Sequence, residues 1–145
     1  MAAGKNKLER SFRFLVNTVD LTGDLLPGTV QGGGLVFDEV EMTGVSNSVK
    51  NYLAGHAESV ITAQFHMNDT ASTGAYTVLN ALQGTADIAL ALQYGAGGAA
   101  PTTGDPEWAG DYTLLDCSAA PNGGKWVLNT TWKPSPGSTP AWGTV

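Results

Sequence analysis

Between Glu58 and Met67 the sequence ESVITAQFHM alternates strictly. Ile61, Ala63, Phe65 and Met67 fall on one side, and Val60, Thr62, Gln64 and His66 on the other. A period of two sends successive side chains to opposite faces of a strand. This segment therefore predicts a half-buried strand with one apolar and one polar face. The same pattern marks Ser11–Val19 (SFRFLVNTV), Leu35–Thr43 (LVFDEVEMT) and Asp87–Tyr94 (DIALALQY). It also marks Asp111–Ala119 and Lys125–Lys133, a pair joined through Ala120–Gly124 as a hairpin-type connection.

Composition agrees with a strand-rich chain. Gly makes up 19 of 145 residues and charged residues only 14%, against about 25% charged in an average domain. Helical bundles and coiled coils need Ala, Glu, Lys and Leu on their exposed faces, and they are excluded. So little charge also implies that much of the surface meets protein rather than water. One segment has helical periodicity. Ala75, Val78, Leu79 and Leu82 form a one-sided apolar stripe after possible N-caps in Asn68–Ser72, and Gly84 is a ready C-cap. The predicted helix spans about 72–83. The expected fold is mainly β: an antiparallel β-sandwich or partial barrel with one flanking α-helix.

Length fits one domain. Residues 1–10 read as an N-terminal arm, 11–133 as a single β-rich domain, and 134–145 (PSPGSTPAWGTV), with three prolines, as an irregular tail. Gly44–Ala57 reads as a long loop of small residues, and loops of this length are usually functional. No apolar run approaches the ~20 residues of a membrane span. The basic N-terminus is not followed by the apolar core of a secretory signal, so synthesis in the cytosol is expected. The lone cysteine, Cys117, permits no intramolecular disulfide.

Charge is unevenly placed. Lys5, Lys7, Arg10 and Arg13 lie in the first 13 residues, and no Lys or Arg occurs between Lys50 and Lys125. With a formal net charge of −6, the chain lacks the cations that grip nucleic-acid phosphates.

No catalytic set emerges. His56, His66 and Cys117 lack the spacing of HExxH or CxxC metal motifs. There is no G-x-S-x-G elbow and no Walker A loop. Gly32–Gly34 leads into a strand and offers no helix N-terminus to phosphate. Asp20–Asp24 lacks the ligand series of a calcium loop. Glu39 and Glu41 share a strand face, but nothing argues for the raised pKa that paired catalytic carboxylates need. The expectation is a non-enzyme without cofactor or metal.

The order of these features resembles the tail tube protein (major tail protein) of long-tailed bacteriophages and related gene transfer agents. A strand enters Val19-Asp-Leu-Thr-Gly-Asp-Leu25, and a polar strand runs to Glu41-Met-Thr-Gly44. A long loop ends in Tyr52-Leu-Ala-Gly-His56, and the strand Ser59–Met67 runs into Asn68-Asp-Thr70 and the single helix. Two late strands with Gly-Gly between them close a match covering about residues 8–135. The resemblance implies a β-sandwich or partial barrel that assembles into hexameric rings, stacked as a hollow tube through which DNA passes. It implies no catalysis and no cofactor. The partners it implies are further copies of the chain, other tail proteins at the tube ends, and DNA that passes without specific binding. The chain would be made in the bacterial host cytoplasm and reside in the virion tail. Two other classes fit the composition: a capsid decoration or other virion adhesion module, and a carbohydrate-binding module using Trp108, Trp126, Trp132 and Trp142 as platforms.

Two site expectations follow. Leu35–Thr43 and Glu58–Met67 are expected to pair, placing Glu39, Glu41, Thr62 and Gln64 on a polar face that lines the lumen. The Gly44–Ala57 loop is expected to dock on the next ring through Val49, Tyr52 and Leu53.

Overall fold

Phe12, Phe14 and Val16 alternate into the core and start the first strand of a sheet that curls through most of the chain. The computed structural model describes residues 11–96 and 99–145. The expected arm, residues 1–10, lies outside the described residues. The strands are β1 (Phe12–Val16), β2 (Val19–Asp20), β3 (Val36–Glu41), β4 (Tyr52–Glu58), β5 (Ile61–His66), β6 (Ile88–Tyr94), β7 (Pro106–Asn122), β8 (Lys125–Pro134) and β9 (Ala141–Thr144). One short helix, α1, spans Ala75–Asn80, and a 3-10 turn spans Thr22–Asp24.

The main sheet has seven strands in the order β2-β1-β6-β7-β8-β5, with β9 also pairing β7. Every pairing is antiparallel. The sheet curls into a half-barrel, so the fold is the expected mainly β architecture in its partial-barrel form. Its apolar face holds Phe14, Val16, Ile61, Phe65, Leu90, Leu92, Trp108, Tyr112, Leu114 and Trp132, and α1 adds Ala75 and Leu79. Phe14 and Phe65 meet edge to face at 5.1 Å, an arrangement the ring quadrupoles favour. The polar atoms of Trp132 and Thr130 are partnered within the core. Trp132 Nε1 donates to Thr130 Oγ1 at 3.0 Å, and that hydroxyl donates to the Ala63 carbonyl at 2.9 Å.

Several elements depart from the sequence expectation. The first strand does not run to Val19. Asn17 and Thr18 take φ of 47° and 70° and turn the chain back into β2. That backbone is held because Asn17 N donates to Ala89 O at 2.8 Å and Asn17 Oδ1 accepts from Ala89 N at 2.9 Å. The helix is shorter than 72–83, although its predicted stripe is correct: Ala75 and Leu79 are buried, with Val78 and Leu82 packed beside them. β7 begins at Pro106, ahead of the expected start at Asp111, and the hairpin to β8 turns on Gly123 and Gly124 alone. Both have positive φ, as a two-residue hairpin turn requires. The expected irregular tail contains β9, which lies along Pro106–Ala109 of β7.

The largest correction concerns residues 35–67. Tyr52–Glu58 is a strand, not part of a loop, and it pairs with β3. β5 pairs with β8 instead. The expected pairing of Leu35–Thr43 with Glu58–Met67 is therefore replaced by a separate two-stranded sheet, β3-β4.

Candidate assembly surface

β3 and β4 form a hairpin that pairs with no other strand among the described residues. All of β3 is exposed, and in β4 only Gly55 is partly covered. Alternation and register set its two faces. Val40 pairs with Leu53, on the side that also carries Val36 and Met42. Phe37 pairs with Ala57, Glu39 with Ala54 and Glu41 with Tyr52 on the other. Each face is thus partly apolar and open to water.

A two-stranded hairpin alone is marginally stable at best in water. A concentration of exposed apolar side chains on one element makes it a candidate interaction surface. The connecting residues 42–51 extend it. Gly44 N donates to Asn47 Oδ1 at 2.9 Å, Asn51 N donates to Thr43 Oγ1 at 2.9 Å, and Met42 N donates to Asn51 O at 2.8 Å. This bonded turn leaves Val45 and Val49 projecting, Val49 at 70% exposure. All three residues predicted for docking, Val49, Tyr52 and Leu53, are exposed on this one element. Sequence reasoning missed Val36, Phe37, Val40, Met42 and Val45. The signal was present: Phe37 sits among the glutamates, so LVFDEVEMT has apolar residues on both faces.

The four residues predicted for a lumen are not brought together. Glu39 and Glu41 lie on the hairpin, where Asp38 and Glu58 also sit. Thr62 and Gln64 lie on β5, alternating with buried Ile61, Ala63 and Phe65, so they occupy the outer face of the main sheet. There they stand opposite Thr131 and Asn129 of β8. With Gly28, Thr29 and Gln31 these residues line an open groove of about 410 Å³ with no charged side chain. The Gly28–Gln31 segment covers the free edge of β5. Gln31 and Thr62 bond through their backbones, while the Thr29 hydroxyl accepts from Gln64 N at 3.3 Å. Covering an edge in this way prevents uncontrolled strand addition.

His56, His66 and Cys117 sit on three different strands, β4, β5 and β7. No group of three His, Cys, Asp or Glu side chains suited to a metal ion occurs among the described residues. Burial pushes the Cys117 thiol up, and the neighbouring Asp116 carboxylate pushes it further, which opposes formation of a nucleophilic thiolate. Burial likewise raises the Tyr94 hydroxyl, with Tyr112 adding to the effect. Of the four tryptophans, Trp108 and Trp132 belong to the core. Trp126 is exposed, and Trp142 is exposed while meeting Trp108 edge to face at 5.1 Å.

The chain is similar in fold to a chain of the PVC sheath–tube complex of an extracellular contractile injection system in its extended state. That likeness has a TM-score of 0.63 at 14% identity, over 99% of this chain and 95% of that one. It is also similar to a chain of the baseplate of the anti-feeding prophage (AFP), in a 6-fold symmetrised structure, with a TM-score of 0.52 at 12% identity, over 100% of this chain and 97% of that one. No family model and no curated protein matches the sequence.

Proposed function

We propose that this chain is a structural protein of a phage-type tail, whose copies close into hexameric rings and stack into a tube. The observation that carries this reading is the β3-β4 hairpin, exposed on both faces and apolar on each. Such an element is stable when a second copy covers it. A patch that docks on a different surface of the next copy gives an interface that closes into rings or extends as a filament. The fold shared with a sheath–tube chain over nearly the full length of both supports the same reading. The partners are further copies and other tail proteins at the tube ends, the site of action is the virion tail, and synthesis is in the bacterial host cytoplasm.

In this reading the outer face of the main sheet bounds the channel. Thr62 and Gln64 belong to that face, and the groove they line presents hydroxyls and amides rather than cations. DNA then passes without the phosphate contacts that would hold it. Glu39 and Glu41 lie with the hairpin, at the contact between copies. Sedimentation velocity over a range of concentrations tests the reading. The intact chain is expected to form large species, and a chain with residues 36–58 replaced by a short Gly-Ser turn is expected to remain a folded monomer. Identical sedimentation of the two chains would contradict the role given to the hairpin.

A further inference from the structure

A chain of hydroxyl contacts runs from the core to the root of the hairpin. Ser59 lies between Glu58, the end of β4, and Val60, which precedes β5. It is 1% exposed, and its Oγ stands 2.8 Å from the fully buried Tyr112 hydroxyl. Trp108 Nε1 donates to the same Tyr112 oxygen at 2.7 Å. An indole N–H only donates, so the Tyr112 oxygen is an acceptor there and its other bond is to Ser59.

Facing Ser59 and Val60, the other root of the hairpin passes through Gly32, Gly33 and Gly34, with φ of 108°, 90° and 93°. Only glycine takes such values freely. A Cβ on Gly32 would collide with the Val60 carbonyl oxygen, so the two roots are pressed together. Below this point Gln31 bridges Thr62, and above it Val36 pairs with Glu58. Between the two there is no strand pairing to set the angle at which the hairpin leaves. The glycines carry no side chain to anchor it, and Leu35, partly buried against the core, makes only a non-directional apolar contact. Lys133 Nζ and Glu58 Oε1 are 3.5 Å apart, but both side chains are about half exposed, and water screens such a pair. Ser59 is the side chain at this root that is bonded inside the core.

We propose that Ser59, held by Tyr112, is a positioning residue that sets the direction in which the β3-β4 hairpin projects, so that its apolar faces are aimed at a second copy before contact. Any swing of the hairpin that withdraws Ser59 breaks a buried hydrogen bond and leaves Ser59 and Tyr112 short of a partner. Pre-aiming of this kind reduces the ordering cost of association. The proposal rests on the hairpin being the docking element.

The test measures the hairpin's direction within one chain. In the full chain carrying Cys117→Ser, nitroxides are placed at Ser48→Cys on the hairpin turn and Asn80→Cys on α1. Labelled chains are diluted into unlabelled ones, so that pulsed electron–electron resonance reads only within-chain distances. The parent is expected to give one narrow distance distribution. Ser59→Ala is expected to widen it at least twofold while near-ultraviolet circular dichroism of the core is retained. Tyr112→Phe keeps the ring and removes the same bond, so it reads the same effect if Ser59→Ala fails to fold. A parent distribution that is already broad, or variants as narrow as the parent, would overturn the proposal. A narrow parent distribution in a chain that never assembles would refute the docking reading and leave the positioning intact.

Discussion

Gln31 and Thr62 exchange two backbone hydrogen bonds of 2.9 Å each. Ten residues further along from Gln31, and ten back from Thr62, Glu41 pairs with Tyr52. The register at the outer end of the hairpin is therefore the register at its base. The residue gained across the glycine stretch is given back at the bulge between Phe37 and Glu39. Body and hairpin form one antiparallel arm, bent where Gly32–Gly34 meets Ser59–Val60, and this bend carries β3 and β4 away from the main sheet.

Exposed apolar residues on the hairpin are expected to matter for assembly and not for folding. The double variant Val49→Ser, Leu53→Ser replaces side chains that are 70% and 58% exposed. Chemical denaturation should change by no more than about 0.5 kcal/mol, as for surface positions generally. Large species should be lost from sedimentation profiles. A stable variant that still assembles would remove these residues from the interface.

Asp24 caps the helix from a distance. Its Oδ2 accepts from Ala75 N at 3.0 Å, and both of its oxygens accept from Asn68 Nδ2. Gly74, at the N-cap position, supplies no side chain for the purpose. Asp24→Ala is expected to cost about 0.5–2 kcal/mol, the range for losing a capping side chain. Urea denaturation measures it, and faster amide exchange at Ala75 should accompany it.

Cys117 should react slowly. Burial and the Asp116 carboxylate both raise its pKa above the ordinary value of 9.0. The thiolate is the reactive form, so alkylation by iodoacetamide at pH 8 should be slower in the folded chain than in urea. Its midpoint on a pH–rate profile should lie above that of the unfolded chain. Asp116→Asn should move the midpoint partway back, since it removes the smaller of the two causes.

The groove face of β5 should tolerate charge during assembly but change what the tube does. Thr62→Lys with Gln64→Lys adds two cations to a face that has no charge in the groove. The assembled variant is expected to retain duplex DNA at low salt and release it as salt rises, the mark of phosphate contacts. Wild-type tubes should retain none. Equal DNA retention by both would take Thr62 and Gln64 out of the channel.

What could be read from the sequence depended on whether alternation survived locally. β5 buries every second residue and β6 does so from Ile88 to Leu92, and both were visible as strands. β4 was not, because YLAGHAE is exposed at every position but Gly55 and has no apolar period to detect. β9 and the first part of β7 were hidden by Pro and Gly: Pro106 opens β7, Gly110 lies within it, and Pro140 precedes β9. Pairing with established strands overrides those local preferences, and that pairing is long-range information. The exposure of Val49, Tyr52 and Leu53 was legible because they lie in a long stretch without a core pattern. The strand partner of Leu35–Thr43 was not, because long-range contacts decide the pairing. The cap from Asp24 to Ala75 spans 51 positions and leaves no local signal.

Negative-stain electron microscopy of the purified full chain at high concentration tests the central claim most directly. The account predicts rings of six copies, stacked into hollow tubes, and their absence from the hairpin-replaced chain. Intact protein that remains monomeric at every concentration, alone and with the complex that initiates a tail, would contradict it.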